Sequence, residues 1–515
     1  MKLSKKSVQF ARNHIRNFYD SDFFVKPFEF NALWDNWGEV EAYLRDKETS
    51  SFPVRPPLTF EAPKPKIGYR IVHQLDPLDS MVYTALAYEV AETIERCRTP
   101  IKNRIACSYR INVNFDGGIF FTKDNGFDNF KARSYKLATS YSYVLTTDIT
   151  DFYNHIYLHR LQNSLERCNP KPKEISKEIE QFLLKINNKI SRGIPVGPAA
   201  SVIMAEAYLI DIDEFILSKN TKYVRYVDDF RIFSNSQFKL EQLLRELTRY
   251  LYSNHRLNLS SGKTEILGCK DFIKKYLDDP ETMEREAIHK ALEELKIPVN
   301  LDYPSPEPIN DIDLLPNGDK FKIQATALQR LMNDIIGRDM LDLGLARHVL
   351  RKAKKLGSRA IVHQLLENFD LFAPVIRDVV LYLDEITNRK VIEYTYKHFT
   401  RILKESAAIK VPFVRYWMLY YFSKYSDFNK YRPIKDFVIN DKDIRSQALF
   451  AKTNKVVSWV RAHKDEAYNY GPWEKRAVIS SAIVLPSDER NPWMDLVLKS
   501  GDLIDKSLAK YVKSY

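Results

Sequence analysis

Two stretches of this sequence carry carboxylates where they could do chemistry. One is Tyr226-Val227-Asp228-Asp229, flanked by Val224 and by Phe230, Ile232 and Phe233. Adjacent carboxylates at a tight turn repel each other, and a folded protein tolerates that poorly without a cation. Those four residues alone fit a solvated Asp-Asp turn equally well, because short patterns recur by chance. The other stretch runs Val144-Leu145-Thr146-Thr147-Asp148-Ile149-Thr150-Asp151-Phe152-Tyr153 and reads as a strand ending on a carboxylate. Two-metal nucleotidyl transfer needs carboxylates on adjacent strands, so that two Mg²⁺ ions sit about 3.5–4 Å apart. Asp148 from one strand and Asp228 from a hairpin meet that need, with Asp229 as a supporting ligand.

The elements around these residues must position them. Helical spacing of Met81, Val82, Leu86 and Val90 predicts a helix over Asp79–Glu95, and a strand is expected from Tyr143 to Ile149. Ile175, Ile179, Leu183, Ile186 and Ile190 share one face of a further helix. Gly193-Ile194-Pro195-Val196-Gly197-Pro198 breaks it, and Pro198 opens a helix running to about Leu217. A hairpin over Lys222–Ser234, a helix around Leu240–Tyr252 and a strand around Thr264–Leu267 complete a β-α-β-β-α-β order, the split βαβ pattern. Beyond about residue 280 nearly every segment reads as an amphipathic helix: Leu328–Ile336, Ala346–Lys355, Pro374–Ile386, Val411–Phe422, Ser446–Ala462 and Leu503–Val512. Stacked helical hairpins of the HEAT type are the expected architecture, with a compact bundle as the alternative. The expected class is α+β, organised as an N-terminal helical segment (1–55), a mixed domain (56–280) and a helical domain (281–515).

Composition narrows the function classes. The 515 residues exceed one ordinary core, and 44% hydrophobic with 13% aromatic content excludes a disordered chain. A net charge of +12 favours a polyanionic partner. The excess is spread evenly over both halves, so any nucleic-acid channel must be built by folding. Cys97, Cys107, Cys168 and Cys269 form no CxxC pair and read as reduced, buried thiols. No apolar run is long enough to span a bilayer, and a cytoplasmic protein without membrane contact is expected. The aromatic run Tyr416–Phe422 reads first as core packing and second as a stacking platform for single strands.

Asp148-x4-Tyr153, Gly193-Ile-Pro-x-Gly197, Tyr226-x-Asp-Asp229 and Leu257-Asn-Leu-x3-Lys263-Thr264 resemble motifs A to D of reverse transcriptases, in order. Lys66-x3-Arg70 with Asp79, then Ser108-Tyr109-Arg110, resemble the fingers motifs of bacterial members. The resemblance covers roughly residues 55–270 and implies a fingers and palm fold. It also implies two Mg²⁺ ions, with Mn²⁺ as a substitute, held by Asp148, Ile149, Asp228 and Asp229. Lys66 and Arg70 are the implied triphosphate ligands, and Asp151 is a further candidate at the triphosphate end. Tyr153 matches the steric gate, with Phe152 as competitor, and Gly197 and Val196 lie in the nucleotide-binding loop. Lys263 matches the lysine proposed to protonate pyrophosphate.

Where templated members usually have Gln, this chain has Val196, and a helical half stands where a thumb would be. That combination most resembles the abortive-infection reverse transcriptases of bacteria and prophages. The resemblance implies antiphage DNA synthesis from dNTPs without a template, primed by a tyrosine of the protein, giving single-stranded DNA attached covalently to a homo-oligomer. Tyr19, Tyr43 or a tyrosine of the helical half are primer candidates, Tyr43 foremost. The alternatives are a templated enzyme of the retron or group II intron kind, and a non-catalytic nucleic-acid-binding scaffold.

Overall fold

Strand β5 (Tyr143–Asp148) is buried from Val144 to Thr147, and the fold is organised around it. In the computed structural model it pairs antiparallel on one side with β7 (Asp229–Ser234) and on the other with β8 (Glu265–Gly268). Strand β6 (Lys222–Tyr226) adds to the far side of β7, so the sheet runs β6-β7-β5-β8. That order is the β-α-β-β-α-β arrangement expected from the sequence. The structure describes residues 1–19, 21, 23–123, 126–168, 173–277, 283, 284, 286–288, 290, 291 and 317–515. The expected boundary at 280/281 lies outside the described residues.

Among the described residues, eleven α-helices precede residue 278. They are α1 (Lys5–Phe18), α2 (Glu29–Asp35), α3 (Trp37–Asp46), α4 (Pro77–Cys97), α5 (Gly126–Ala138), α6 (Phe152–His155), α7 (Leu158–Cys168), α8 (Lys173–Ile186), α9 (Ala199–Ser218), α10 (Gln237–His255) and α11 (Cys269–Tyr276). Helix α9 buries Ile203, Met204, Ala207, Tyr208, Leu209, Ile212 and Ile216, so apolar residues lie on every side of it. A helix apolar all round belongs in an interior, and α9 packs between α4 and α7. Helix α4 starts with Pro77 in its first turn after the Asp76 cap, whose side chain accepts from the Leu78 N–H.

Two smaller hairpins complete this part: β1 (Leu58–Pro63) with β2 (Tyr69–Gln74), and β3 (Ile111–Asn114) with β4 (Ile119–Phe121). The β3–β4 turn docks on α1, where a Cβ on Gly118 would sit 2.4 Å from the His14 amide nitrogen. Its φ of +63° also favours glycine, and the Gly118 carbonyl meets His14 Nδ1 at 2.8 Å.

The chain divides into two compact units. One comprises Met1–Phe30, Asn36–Thr59 and Val72–Asp278, and the other Asn31–Asp35, Phe60–Ile71 and Asp279–Tyr515. In the second unit a series of helices packs each on the next but one. Leu343–Lys355 lies on Ile376–Ile386, then Pro412–Lys424, Ile444–Thr453, Pro472–Ser481 and Leu503–Lys513. A parallel series runs Val362–Glu367, Arg389–Glu405, Arg432–Ile439. The helix expected over Ser446–Ala462 is two helices, Ile444–Thr453 and Val457–Lys464, separated at Lys455, whose φ is +53°. A left-handed residue cannot continue an α-helix.

Two further expectations change, and one first reading stands. Ile190 lies past the end of α8 and is 64% exposed, whereas Ile175, Ile179, Leu183 and Ile186 are buried. Cys97 is exposed at the end of α4, while the other three thiols are buried. In the aromatic run, Trp417, Met418, Leu419, Tyr421 and Phe422 are buried, Arg415 pairs with Asp441 and Lys424 with Asp384. Core packing, not a stacking platform, accounts for those rings. Among the described residues no helix is long and apolar enough to cross a membrane.

Candidate active site

The antiparallel register of β5 and β7 puts Asp148 directly opposite Asp229. The β6–β7 turn consists of Val227 and Asp228, and the Asp228 carbonyl accepts from the Ile149 N–H at 3.3 Å. Strand pairing therefore brings Asp148, Asp228 and Asp229 to one end of the sheet. The segment before β8 closes over the same end. The Ser260 N–H donates to the Asp148 carbonyl at 2.8 Å, and the Thr150 N–H donates to the Asn258 carbonyl at 2.8 Å. That docking delivers Lys263, whose Nζ donates to Asp148 Oδ2 at 2.6 Å.

Charge is costly at this end of the sheet. Burial, followed by repulsion from Asp148, pushes the Asp228 carboxyl up to about 7. Burial pushes Asp229 up to about 6, with Asp148 adding to the rise and Arg231 opposing it. Two carboxylates that resist ionisation, with a third beside them, are oxygen donors that fit a hard dication such as Mg²⁺.

The turn itself is strained. Val227 has φ +52°, a left-handed conformation that costs a β-branched residue about 1–3 kcal/mol. A buried polar chain holds it there. The Val227 N–H donates to Ser108 Oγ at 2.8 Å, and Ser108 in turn donates to Glu206 Oε1 at 2.7 Å. Glu206 Oε2 pairs with Arg98 at 2.7 Å and Arg225 at 2.9 Å. Arg225 also grips Asp213 through two contacts of 2.7 Å and reaches the Val227 carbonyl at 3.3 Å. Both arginines and Glu206 are fully buried. Pairing keeps the Glu206 carboxyl below its ordinary value despite burial, which alone would raise it.

Sequence reading missed Arg98, Glu206, Asp213 and Arg225. A signal for two of them existed: Glu206 interrupts an apolar helix, and Arg225 interrupts a strand. Buried charges of that kind need partners. Arg110, in the fingers motif, pairs with Glu95, so its guanidinium is committed to the interior. Asp79 is buried and accepts from the Arg55 N–H at 2.9 Å.

The remaining candidates are distributed as follows. Phe152 is 2% exposed and packs against Tyr208, whereas Tyr153 is only partly buried and feels the Asp228 charge. Burial, then that charge, holds the Tyr153 phenol well above its usual value. Ile149 is buried. Asp151 is exposed, has φ +48° and accepts from Asn154 Nδ2 at 2.9 Å. Val196 is stitched to β2: its N–H donates to His73 Nδ1 and its carbonyl accepts from the His73 N–H, both at 3.0 Å. Burial pushes His73 down to about 4, which keeps Nδ1 a proton acceptor. Gly197, at φ +132°, leaves no room for a Cβ, which would meet Ser21 Oγ at 2.9 Å.

Lys66 and Arg70 are exposed and belong to the Phe60–Ile71 segment of the second unit. Tyr43 lies in α3 with its ring 5.9 Å from Phe52 and 4.1 Å from Lys47 Nζ. The Tyr19 hydroxyl accepts from Gln74 at 2.7 Å.

A family model described as reverse transcriptase (RNA-dependent DNA polymerase) matches residues 64–284. Two solved structures are similar, both telomerases. One is from Candida albicans, in complex with the TWJ fragment of telomeric RNA: 11% identity, 80% of this chain and 72% of that chain covered, TM-score 0.32. The other, an apo telomerase from Candida tropicalis, is 12% identical, with 75% and 73% covered and a TM-score of 0.33. No curated protein matches the sequence.

Proposed function

We propose that this chain, whose residues 64–284 match a family model described as reverse transcriptase (RNA-dependent DNA polymerase), is a nucleotidyltransferase of the DNA-polymerase class that synthesises DNA without a template, starting from one of its own tyrosines, as an antiphage abortive-infection enzyme. The convergence of Asp148, Asp228, Asp229 and Lys263 at one end of the sheet is the observation that carries the catalytic part. Bound there by the three aspartates and Ile149, two Mg²⁺ ions would activate the attacking hydroxyl and neutralise the triphosphate. Lys66 and Arg70 bind the triphosphate, where an arginine fork suits phosphate oxygens, and Asp151 flanks it. Tyr153 closes on C2′ of the sugar; Phe152, committed to the core, is less suited. Gly197 and Val196 line the nucleotide pocket, and Lys263 moves from Asp148 to the departing pyrophosphate as proton donor.

Priming by the protein and the absence of a template rest on the resemblance of the sequence to abortive-infection enzymes and on Val196. That position is held by main-chain hydrogen bonds to β2 and presents no amide to a template base. In this assignment residues 1–55 form an N-terminal helical segment, 56–280 the fingers and palm, and 281–515 a HEAT-like domain in place of a thumb. The assembly is a cytoplasmic homo-oligomer, with Tyr43 as the first primer to test.

The experiment incubates nucleic-acid-free protein with labelled dNTPs and Mg²⁺, then denatures it and digests it with protease. Label that stays with the intact chain, moves to peptide after digestion and needs no template is the expected result. Label free of protein, or appearing only with added template, overturns it in favour of a templated polymerase.

A further inference from the structure

Away from the aspartates, the second unit holds a group of unlike donors. His363 and Glu367 stand one turn apart on the short helix Val362–Glu367, and His398 faces them from Arg389–Glu405. One donor atom from each lies within 4.8 Å of the others, the one such group among the described residues. His398 Nδ1 meets Glu367 Oε1 at 2.9 Å, and the two imidazole centroids are 5.2 Å apart. The other oxygen, Oε2, is taken by Arg401, which also donates to the Leu366 carbonyl at 3.1 Å. That guanidinium holds the carboxyl below its ordinary value. It also orients Glu367 from outside, leaving Oε1 turned toward the imidazoles, as partners of a metal-ligating carboxylate do.

We propose that His363, Glu367 and His398 form a transition-metal site of the zinc class, separate from the carboxylates of the polymerase domain. Two imidazoles and one carboxylate are the donors Zn²⁺ takes, whereas Mg²⁺ prefers oxygen alone. Three protein ligands leave a fourth position, and His363 and Glu367 are exposed, so water completes the shell. The ion clips together two helices that pack as neighbours. Binding replaces the His398–Glu367 hydrogen bond with two bonds to the metal, the ring proton that Nδ1 gives to Glu367 passing through solvent to Nε2 so that Nδ1 is free to ligate.

The test uses full-length, chelator-treated protein titrated with Zn²⁺ by calorimetry, and with Co²⁺ as a visible reporter of coordination. One equivalent is expected to bind to wild type, and each of His363→Ala and His398→Gln to weaken it by about tenfold or more. Far-ultraviolet dichroism checks the fold; His363 is exposed, so its variant keeps it. Zn²⁺ should raise the melting temperature of wild type and not of the variants, while Asp148→Asn leaves zinc affinity unchanged. Equal binding by wild type and His363→Ala overturns the site, as does binding lost in Asp148→Asn. No readout involves nucleotide incorporation, so the result is independent of the polymerase assignment.

Discussion

Replacing Asp228 with Asn should stabilise the metal-free protein, and by an amount that depends on pH. Burial and Asp148 hold the Asp228 carboxyl at about 7, against 3.8 for a free one. A carboxyl raised in the folded state binds more protons there than in the unfolded chain. Stability therefore falls as pH rises from about 4 to about 7 and stays reduced above that. A rise of about three pKa units, at about 1.4 kcal/mol each, gives a ceiling near 4 kcal/mol. The true figure is smaller, because Asp148, Asp229 and Lys263 titrate as a coupled group. At about 2–4 °C per kcal/mol for a unit of this size, the gain is several degrees. Melting in EDTA across pH 4.5 to 8.5 measures it. The wild-type and Asp228→Asn curves should meet at the acid end and separate toward neutrality, with the variant higher. Adding Mg²⁺ should raise wild type more than the variant, because a ligand stabilises only the state that binds it. A variant that melts below wild type at pH 8, or by a margin independent of pH, refutes the assignment of repulsion to this cluster. Nucleotide incorporation, by contrast, should be abolished in the variant.

Tyr153→Ala should admit ribonucleotides, since a gate of this kind works by shape; an unchanged ratio of dNTP to rNTP incorporation moves the gate elsewhere. Arg225→Met should cost about 3–5 kcal/mol in denaturant unfolding, because Glu206 and Asp213 would be left charged and buried without their partner; a loss under about 1 kcal/mol would contradict the network. His73, pushed down to about 4, contributes stability that is complete above pH 6.5 and is lost as pH falls toward 4, by up to about 3 kcal/mol. The protection of the Val196 amide, taken relative to its intrinsic exchange rate at each pH, should fall over that interval, and His73→Leu should remove the pH dependence.

The four-stranded sheet could be read from the sequence because each of its parts signals locally. Val144, Leu145, Thr146 and Thr147 put no charged residue into a strand buried on both faces, and the apolar residues flanking Asp228 signal strands in the same way. Once two such strands are expected to pair, their register follows from which residues must end level, and Asp148 opposite Asp229 is the outcome. The helices whose apolar residues recur at three- and four-residue spacing, such as α8 and Leu343–Lys355, were visible for the same reason. Ser446–Ala462 was not, because Asn454-Lys455 breaks the helix without Pro or Gly to announce it.

Long-range pairing was the illegible part. Nothing near Ser108 in sequence says that its hydroxyl will accept from Val227, 119 residues on. Lys263 could be matched to a motif, but its pairing with Asp148 across 115 residues depends on the Ser260 and Asn258 main-chain contacts that set the loop. The same is true of the strain at Val227. A valine with φ +52° looks unremarkable as a letter between Tyr226 and Asp228. Only the buried chain from Ser108 through Glu206 to Arg98 and Arg225 shows why the turn tolerates it. Each charge in that chain is satisfied by another, so the arrangement is all or nothing. Removing one member leaves its neighbours buried and unpaired, and the turn that presents Asp228 loses its support at the same moment. The geometry of the Asp228 turn is thus set by residues far from it in sequence, at the end of α4, on α9 and β6, and in the loop before β3.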